Sequence, residues 1–196
     1  MTDTNIDYGQ FIETQSGKQF RFHDPKVDDI DIADIAFALA NTTRFNGHTQ
    51  FYSVAEHSVA VAGLLPDHLR LAGLLHDAAE AYIGDIPSPL KAQMPDYKIM
   101  EEDIINVIFE KFGIKDLGVA DMVAIKKADR QQLRTESFHL LPSKGEAPNW
   151  RWLADEYDPK AGYTPVGYPP SLAYQGFMNA FKELTNQQQP KLVLVK

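Results

Sequence analysis

The segment Leu74-Leu75-His76-Asp77-Ala78-Ala79-Glu80 sets three ligand-type side chains into an otherwise apolar pattern. Leu69, Ala72, Leu75 and Ala79 recur at helical spacing, which predicts a helix from about His68 to Tyr82 buried in a core. Burying a charged Asp without a partner is expensive, and a bound cation removes that cost. On such a helix His76 and Glu80, four apart, and Asp77 and Glu80, three apart, approach one face. A chain organised around this segment must wrap further helices about it. Two of the candidates carry the same kind of interruption. Glu56-His57-Ser58 breaks a run of small apolar residues (Val54, Ala55, Val59, Ala60), and Ala128-Asp129-Arg130 puts a carboxylate on a third helix.

The rest of the pattern is mostly helical. Two strand-like arms, Phe11 to Thr14 and Lys18 to Phe22, flank Ser16-Gly17 and predict a hairpin. Asp28, Asp29 and Asp31 suit a helix N-terminus, and Ile32, Ile35, Ala36 and Leu39 predict a helix ending near Asn41. Ser53 with Glu56 three residues on has the form of a capping box opening a helix from Val54 to about Leu65. Pro66-Asp67 ends it, and Gly84 with Pro87, Pro89 and Pro95 marks a loop after the next helix. Helices follow over about Tyr97 to Phe112, with Ile104, Ile105, Ile108 and Phe109 inward, and about Val119 to Phe138, with Val123, Ala124, Ala128 and Leu133 as its stripe. Pro142 to Pro170 predicts irregular structure with one short helix. A last helix covers about Leu172 to Leu184, and the tail beyond it is expected to be mobile. The expectation is a mostly α helical bundle with a small N-terminal β-hairpin. It forms one domain over 1–196, with a hairpin extension at 1–30, a helical core at 31–140, and an irregular loop and closing helix at 141–196.

Composition limits the chemistry. With 44% hydrophobic and 23% charged residues, the 196-residue chain has an ordinary globular balance. Its net charge of −8 argues against long nucleic acid, which wants a basic stripe. Local Arg or Lys residues beside a metal can still bind a small phosphate. The absence of cysteine excludes thiolate metal sites, Fe–S clusters and cysteine nucleophiles, so any metal must be held by His and carboxylate. No apolar run reaches the roughly 18 residues needed to cross a bilayer, and Met1 to Tyr8 is unlike a secretory signal, so a cytoplasmic protein with no membrane contact is expected.

The segments Tyr52 to Ser58, Leu75 to Glu80 and Lys127 to Asp129, in that order, resemble the H…HD…D signature of HD-domain metal-dependent phosphohydrolases. The likeness is strongest to the small stand-alone branch of bacterial 5'-deoxynucleotidases and phage dATP triphosphohydrolases. In that branch a Glu and a Gly-Asp-x-Pro-x-Pro motif follow the His-Asp pair; here stand Glu80 and Gly84-Asp85-Ile86-Pro87-Ser88-Pro89. An Arg-aromatic pair precedes the first His, and Arg44-Phe45 fits. The resemblance spans roughly Ile32 to Thr135. The spacing from Arg44 to His57 is shorter than in the bacterial deoxynucleotidases, a difference that bears on sugar and base recognition.

The resemblance implies that His57, His76, Asp77 and Asp129 ligate one divalent metal. A mixed N/O set suits Mn, Co, Fe, Ni or Zn better than Ca, with Mg a further candidate. Glu80 would act as general base with Asp85 beside it, and Arg44 would neutralise phosphate oxygens. Phe45, His48 and Lys91 are candidate substrate contacts. Lys126 and Lys127 stand near Asp129, and Trp150 and Trp152 suit either a stacking lid or an anchor to the core. His23, His68 and His139 have no supporting context. The implied activity is phosphate release from deoxynucleotides, either a dNMP or a dNTP such as dATP, with homodimerisation or a higher homo-oligomer. An alarmone (guanosine polyphosphate) hydrolase and a non-enzymatic metal-stabilised nucleotide-binding module are the alternatives.

Overall fold

The structure, a computed structural model, describes residues 11–188. The polar N-terminus and the tail beyond residue 188 lie outside them, while residues 185–188, expected as the start of a mobile tail, continue the last helix. Among the described residues the fold is helical apart from one two-stranded antiparallel sheet. Strands β1 (Phe11–Glu13) and β2 (Gln19–Arg21) pair with Ile12 opposite Phe20. Their turn closes through Gly17, whose φ of 83° lies in the left-handed region glycine favours. Phe20 points inward and is fully buried.

Helix α1 (Ile32–Asn41) starts as expected at Asp31, whose carboxylate accepts from the Ala33 N–H at 2.9 Å. Asp34, in its first turn, is buried yet satisfied. It accepts from the Thr14 and Ser16 hydroxyls and the Ser16 N–H at 2.6–2.7 Å, fastening the hairpin to α1. Helix α2 (Val54–Gly63) is capped by Ser53, which accepts from the Glu56 N–H at 3.2 Å. The reciprocal half of the capping box is not formed, because the Glu56 carboxylate is engaged elsewhere, as described below.

The helix expected from His68 to Tyr82 is divided. A 3-10 turn at Asp67–Leu69 leads into α3 (Arg70–Leu74), the chain turns at residues 75–79, and α4 (Glu80–Ile83) follows. Gly73 lets α3 lie close on the end of α2, since a Cβ there would meet Leu65 Cδ1, just past that helix, at 2.2 Å and lie 3.5 Å from Ala62 Cα. The Pro-rich stretch, expected as loop, contains a short helix α5 (Ser88–Lys91). Helix α6 (Pro95–Lys111) buries Ile104 and Ile108, with Ile105 and Phe109 half-buried against the core.

Helix α7 (Val119–Leu140) has the expected length but not the expected face. Val123 is exposed and Leu133 half-buried, while Ile125, Ala128, Asp129, Gln132 and Glu136 turn inward. The inward face is largely polar because it lines the site, so an apolar stripe is the wrong guide to its orientation. After a 3-10 turn at Pro148–Trp150, helix α8 (Arg151–Ala154) anchors the irregular region through fully buried Leu153. Trp152 is 52% exposed under the Arg130 guanidinium, so it is not an anchor to the core. Helix α9 (Pro170–Gln188) packs on α1, α2 and α3.

The main core joins Phe20, Ile35, Leu39, Leu74, Leu75, Ile104, Ile108 and Phe177. A smaller cluster of Val61, Leu65, Leu69, Ala72, Ile125 and Ala128 binds α2 and α3 to α7. Each such aliphatic or aromatic side chain contributes about 1.5–3 kcal/mol on burial. Together the two clusters hold the first turn of α2, the 75–79 turn and the middle of α7 around one point.

Candidate metal centre

His57 sits in the first turn of α2 and is fully buried. Its Nδ1–H donates to Glu136 Oε1 at 2.6 Å, which leaves Nε2 turned to Asp77 Oδ2 at 3.5 Å and Asp129 Oδ1 at 3.4 Å. His76 comes from the turn after α3. Its Nδ1–H donates to the Gly73 carbonyl at 2.8 Å, the acceptor an unbroken helix would offer to the Asp77 N–H. Leu75 accordingly leaves helical dihedrals (φ −102°, ψ 6°), and Ala78 N and Glu80 N close shorter i→i−3 bonds to Leu75 and Asp77. His76 and Asp77 therefore meet the site from a tight turn, and helical spacing is not what brings them together. The consequence is that His76 Nε2 is free and 3.1 Å from Asp77 Oδ2.

Ligand atoms of His57, His76 and Asp129 all lie within 4.8 Å of one another. Asp77 adjoins this group without belonging to it, its Oδ2 lying 3.5 Å from His57 Nε2 and 3.1 Å from His76 Nε2. Neither His57 Nε2 nor His76 Nε2 makes a hydrogen bond, although both atoms are buried. Two buried imidazole Nε2 atoms without hydrogen bonds, facing two carboxylates, are what a divalent cation satisfies, so these residues fit a metal. Asp77 and Asp129 are held below the usual carboxylate range: burial opposes this, but the imidazoles and, for Asp129, Lys126 outweigh it.

Glu80 opens α4 beside the cluster and is 5% exposed. Its Oε2 has no hydrogen-bond partner, and its Oε1 is 3.8 Å from Lys91 Nζ. Burial, then the Asp77 and Asp85 charges, push its carboxyl well above the usual range. Asp85 is raised too, first by burial, with Arg44 and Lys91 drawing it back. Lys91 is no free surface lysine. It pairs with Glu101 at 2.6 Å and leans toward Glu80.

Arg44 is nearly buried, with Nε donating to Glu136 Oε2 at 3.0 Å and Nη1 3.6 Å from Asp77 Oδ2. Its guanidinium lies 5.9 Å from the Phe45 ring centroid. Phe45 and Asn46 have φ of 54° and 52°, unusual for a bulky residue and a mark of strain held at this loop. His48 is exposed, as are His23, His68 and His139. Lys126 pairs with Asp129 at 2.6 Å, whereas Lys127 faces solvent.

Two residues of the site escape a reading of the sequence. Glu136 lies seven positions after Asp129, two turns along the same face of α7, and that spacing between buried-face carboxylates is the available signal. Glu56 accepts the backbone N–H groups of Val166, Gly167 and Tyr168 at 2.7–3.2 Å, strapping that segment across the residue next to His57. Gly167 has φ of 75°, and a Cβ there would lie 2.5 Å from the Phe51 carbonyl oxygen.

No protein-family model matches the chain. Over 177 residues it is 41% identical to the uncharacterized protein YfdR of Escherichia coli (strain K12), covering 89% of this chain and 96% of that one. An uncharacterized protein of Rhodobacter capsulatus is 37% identical over 137 residues, 64% of this chain and 70% of its own.

Proposed function

The chain belongs to the family of Escherichia coli YfdR, and we propose that it is an HD-type metal-dependent phosphohydrolase that releases phosphate from deoxynucleotides. The observation that carries this reading is the convergence of two unbonded imidazole nitrogens and two carboxylates beside Glu80, a buried carboxylate with an unpaired oxygen. A purely structural metal needs no such neighbour.

His57, His76, Asp77 and Asp129 would hold a single divalent metal, of the Mn, Co, Fe, Ni or Zn type. When bound, the metal supplies an acidified water and a polarised phosphoryl oxygen. Glu80 takes the proton of the attacking water, its buried Oε2 being an acceptor that no other described group occupies. Asp85 and Lys91 tune that carboxyl, the first by like charge and the second by opposite charge. Arg44 turns an Nη edge toward the centre to meet phosphate oxygens. The Phe45 ring beside it is the candidate wall for sugar or base.

The deoxynucleotide class rests on the Glu80 and Gly84-Asp85-Ile86-Pro87-Ser88-Pro89 likeness. The monophosphate is favoured because the cations described at the site, Arg44, Lys91 and Lys126, are each already shared with carboxylates. That charge balance suits one phosphate better than the extended load of an alarmone. The test is phosphate and nucleoside release from dAMP, dATP, AMP and ATP, each with Mn, Co and Mg. Turnover of dAMP with nucleoside as product supports a 5'-deoxynucleotidase, turnover confined to dATP moves the reading to a triphosphohydrolase, and silence on all four overturns it.

A further inference from the structure

We propose that Glu136 is a positioning residue that ties the metal-binding imidazole of His57 to the phosphate-binding guanidinium of Arg44, so that one carboxylate governs two affinities. The inference rests on the phosphohydrolase reading and assigns a role within that site to a residue outside the H…HD…D pattern.

Glu136 is fully buried on α7 and takes donors from three places in the chain. Oε1 accepts from His57 Nδ1 at 2.6 Å and from the Tyr52 hydroxyl at 3.0 Å, and Oε2 accepts from Arg44 Nε at 3.0 Å. The Tyr52 oxygen is in turn approached by Gln132 Nε2 at 3.4 Å, one turn before Glu136. The carboxylate therefore fixes the proton of His57 on Nδ1 and commits the Nε2 lone pair to the metal side. It also holds the Nε edge of Arg44, with Nη1 lying 3.6 Å from Asp77 Oδ2. Asp77 Oδ2 also approaches both groups, 3.5 Å from His57 Nε2 and 3.6 Å from Arg44 Nη1, but among the described residues Glu136 alone hydrogen-bonds both the imidazole and the guanidinium.

A carboxylate that merely neutralised a buried Arg would affect metal and phosphate binding together, through folding. A positioning role separates them. Glutamine at 136 keeps an oxygen for His57 Nδ1–H and the Tyr52 hydroxyl, but turns an N–H toward Arg44 Nε. It should rescue the imidazole and not the guanidinium.

The experiment measures Co(II) affinity by chelator competition for the full wild-type chain, E136A and E136Q, then orthophosphate affinity of each Co-loaded protein. Nitrogen-15 spectra of the Zn-loaded proteins report the His57 Nδ1–H. E136A is expected to lose about 10–100-fold in Co affinity, the usual cost of removing a partner of a metal-bound His. E136Q should stay close to wild type for Co and keep a protected Nδ1–H signal. Both variants should lose about tenfold or more in orthophosphate affinity, one charge-assisted hydrogen bond's worth. If E136A fails to fold, the split in E136Q alone decides. Wild-type Co affinity in E136A, or parallel loss of both affinities in E136Q, overturns the inference and leaves the phosphohydrolase reading standing. A wild-type chain that binds no Co overturns the metal centre itself and this inference with it.

Discussion

Lys126 Nζ lies 2.6 Å from Asp129 Oδ2, while the other oxygen of the same carboxylate is turned to His57 Nε2 at 3.4 Å. One turn of α7 thus supplies both a candidate ligand and a cation that pairs with it. Lys126 is 63% exposed, so its charge is screened and the pair is worth about 0.2–1 kcal/mol. Replacing Lys126 with Met should tighten Co(II) binding by up to about fivefold, which chelator competition would detect. Tenfold weaker binding would instead mean that Lys126 orients Asp129.

Metal binding should be strongly pH-dependent. Burial and Arg44 oppose a charge on His57, but Glu136 and Asp129 outweigh them and push its pKa up to about 9. The metal-free imidazole is then protonated at neutral pH, and a metal must displace that proton. Apparent Co affinity should therefore fall as pH drops, by about tenfold per unit below 9, and level off above it. Titration calorimetry in buffers of different ionisation enthalpy would show proton release; binding that is flat between pH 7 and 9 would refute the linkage.

Removing Arg44 should cost stability as well as substrate binding. Arg44→Ala leaves Glu136 buried with only His57 and Tyr52 as partners, a loss of about 3–5 kcal/mol in unfolding free energy. Arg44→Lys restores charge but cannot reach Glu136 and a phosphate with two edges at once. It should recover much of the stability while KM stays raised. Denaturant melts and steady-state kinetics separate the two effects.

Glu56→Gln tests the strap. Its carboxylate receives three successive backbone N–H groups, and hydrogen bonds to a charged acceptor are worth about 1.5–3 kcal/mol. The variant should lower unfolding free energy by about that amount and raise proteolytic cleavage within 163–168. Unchanged cleavage would show that the segment is held by Gln132 and Thr135 instead.

Much of the fold was readable from local pattern. The hairpin follows from Ser16-Gly17, α1 from its Asp31 cap, α2 from its Ser53 cap, and α6 and α7 from their lengths and periodicity. The break at residues 75–79 was hidden because Leu75, Ala78 and Ala79 continue a helical apolar pattern. What ends the helix is the His76 ring taking the Gly73 carbonyl, an interaction composition does not announce. The face of α7 was misread for a related reason: its inward residues are Asp129, Gln132 and Glu136, and polar residues ordinarily signal solvent. That His57, His76 and Asp129 converge was legible because each interrupts an apolar or small-residue run. Glu136 and Glu56 were not, since their partners lie 79 and about 110 residues away.

The central claim is that this chain hydrolyses a phosphate ester with a metal held by His57, His76, Asp77 and Asp129 and a base at Glu80. The most direct measurement compares Co content and phosphate release from dAMP and dATP in the wild type, Asp77→Ala and Glu80→Ala. The account predicts that Asp77→Ala loses metal and activity together, while Glu80→Ala keeps its metal and loses turnover by about 10²–10⁴-fold. Near-full turnover in Glu80→Ala, or full activity in a metal-free wild type, would contradict it.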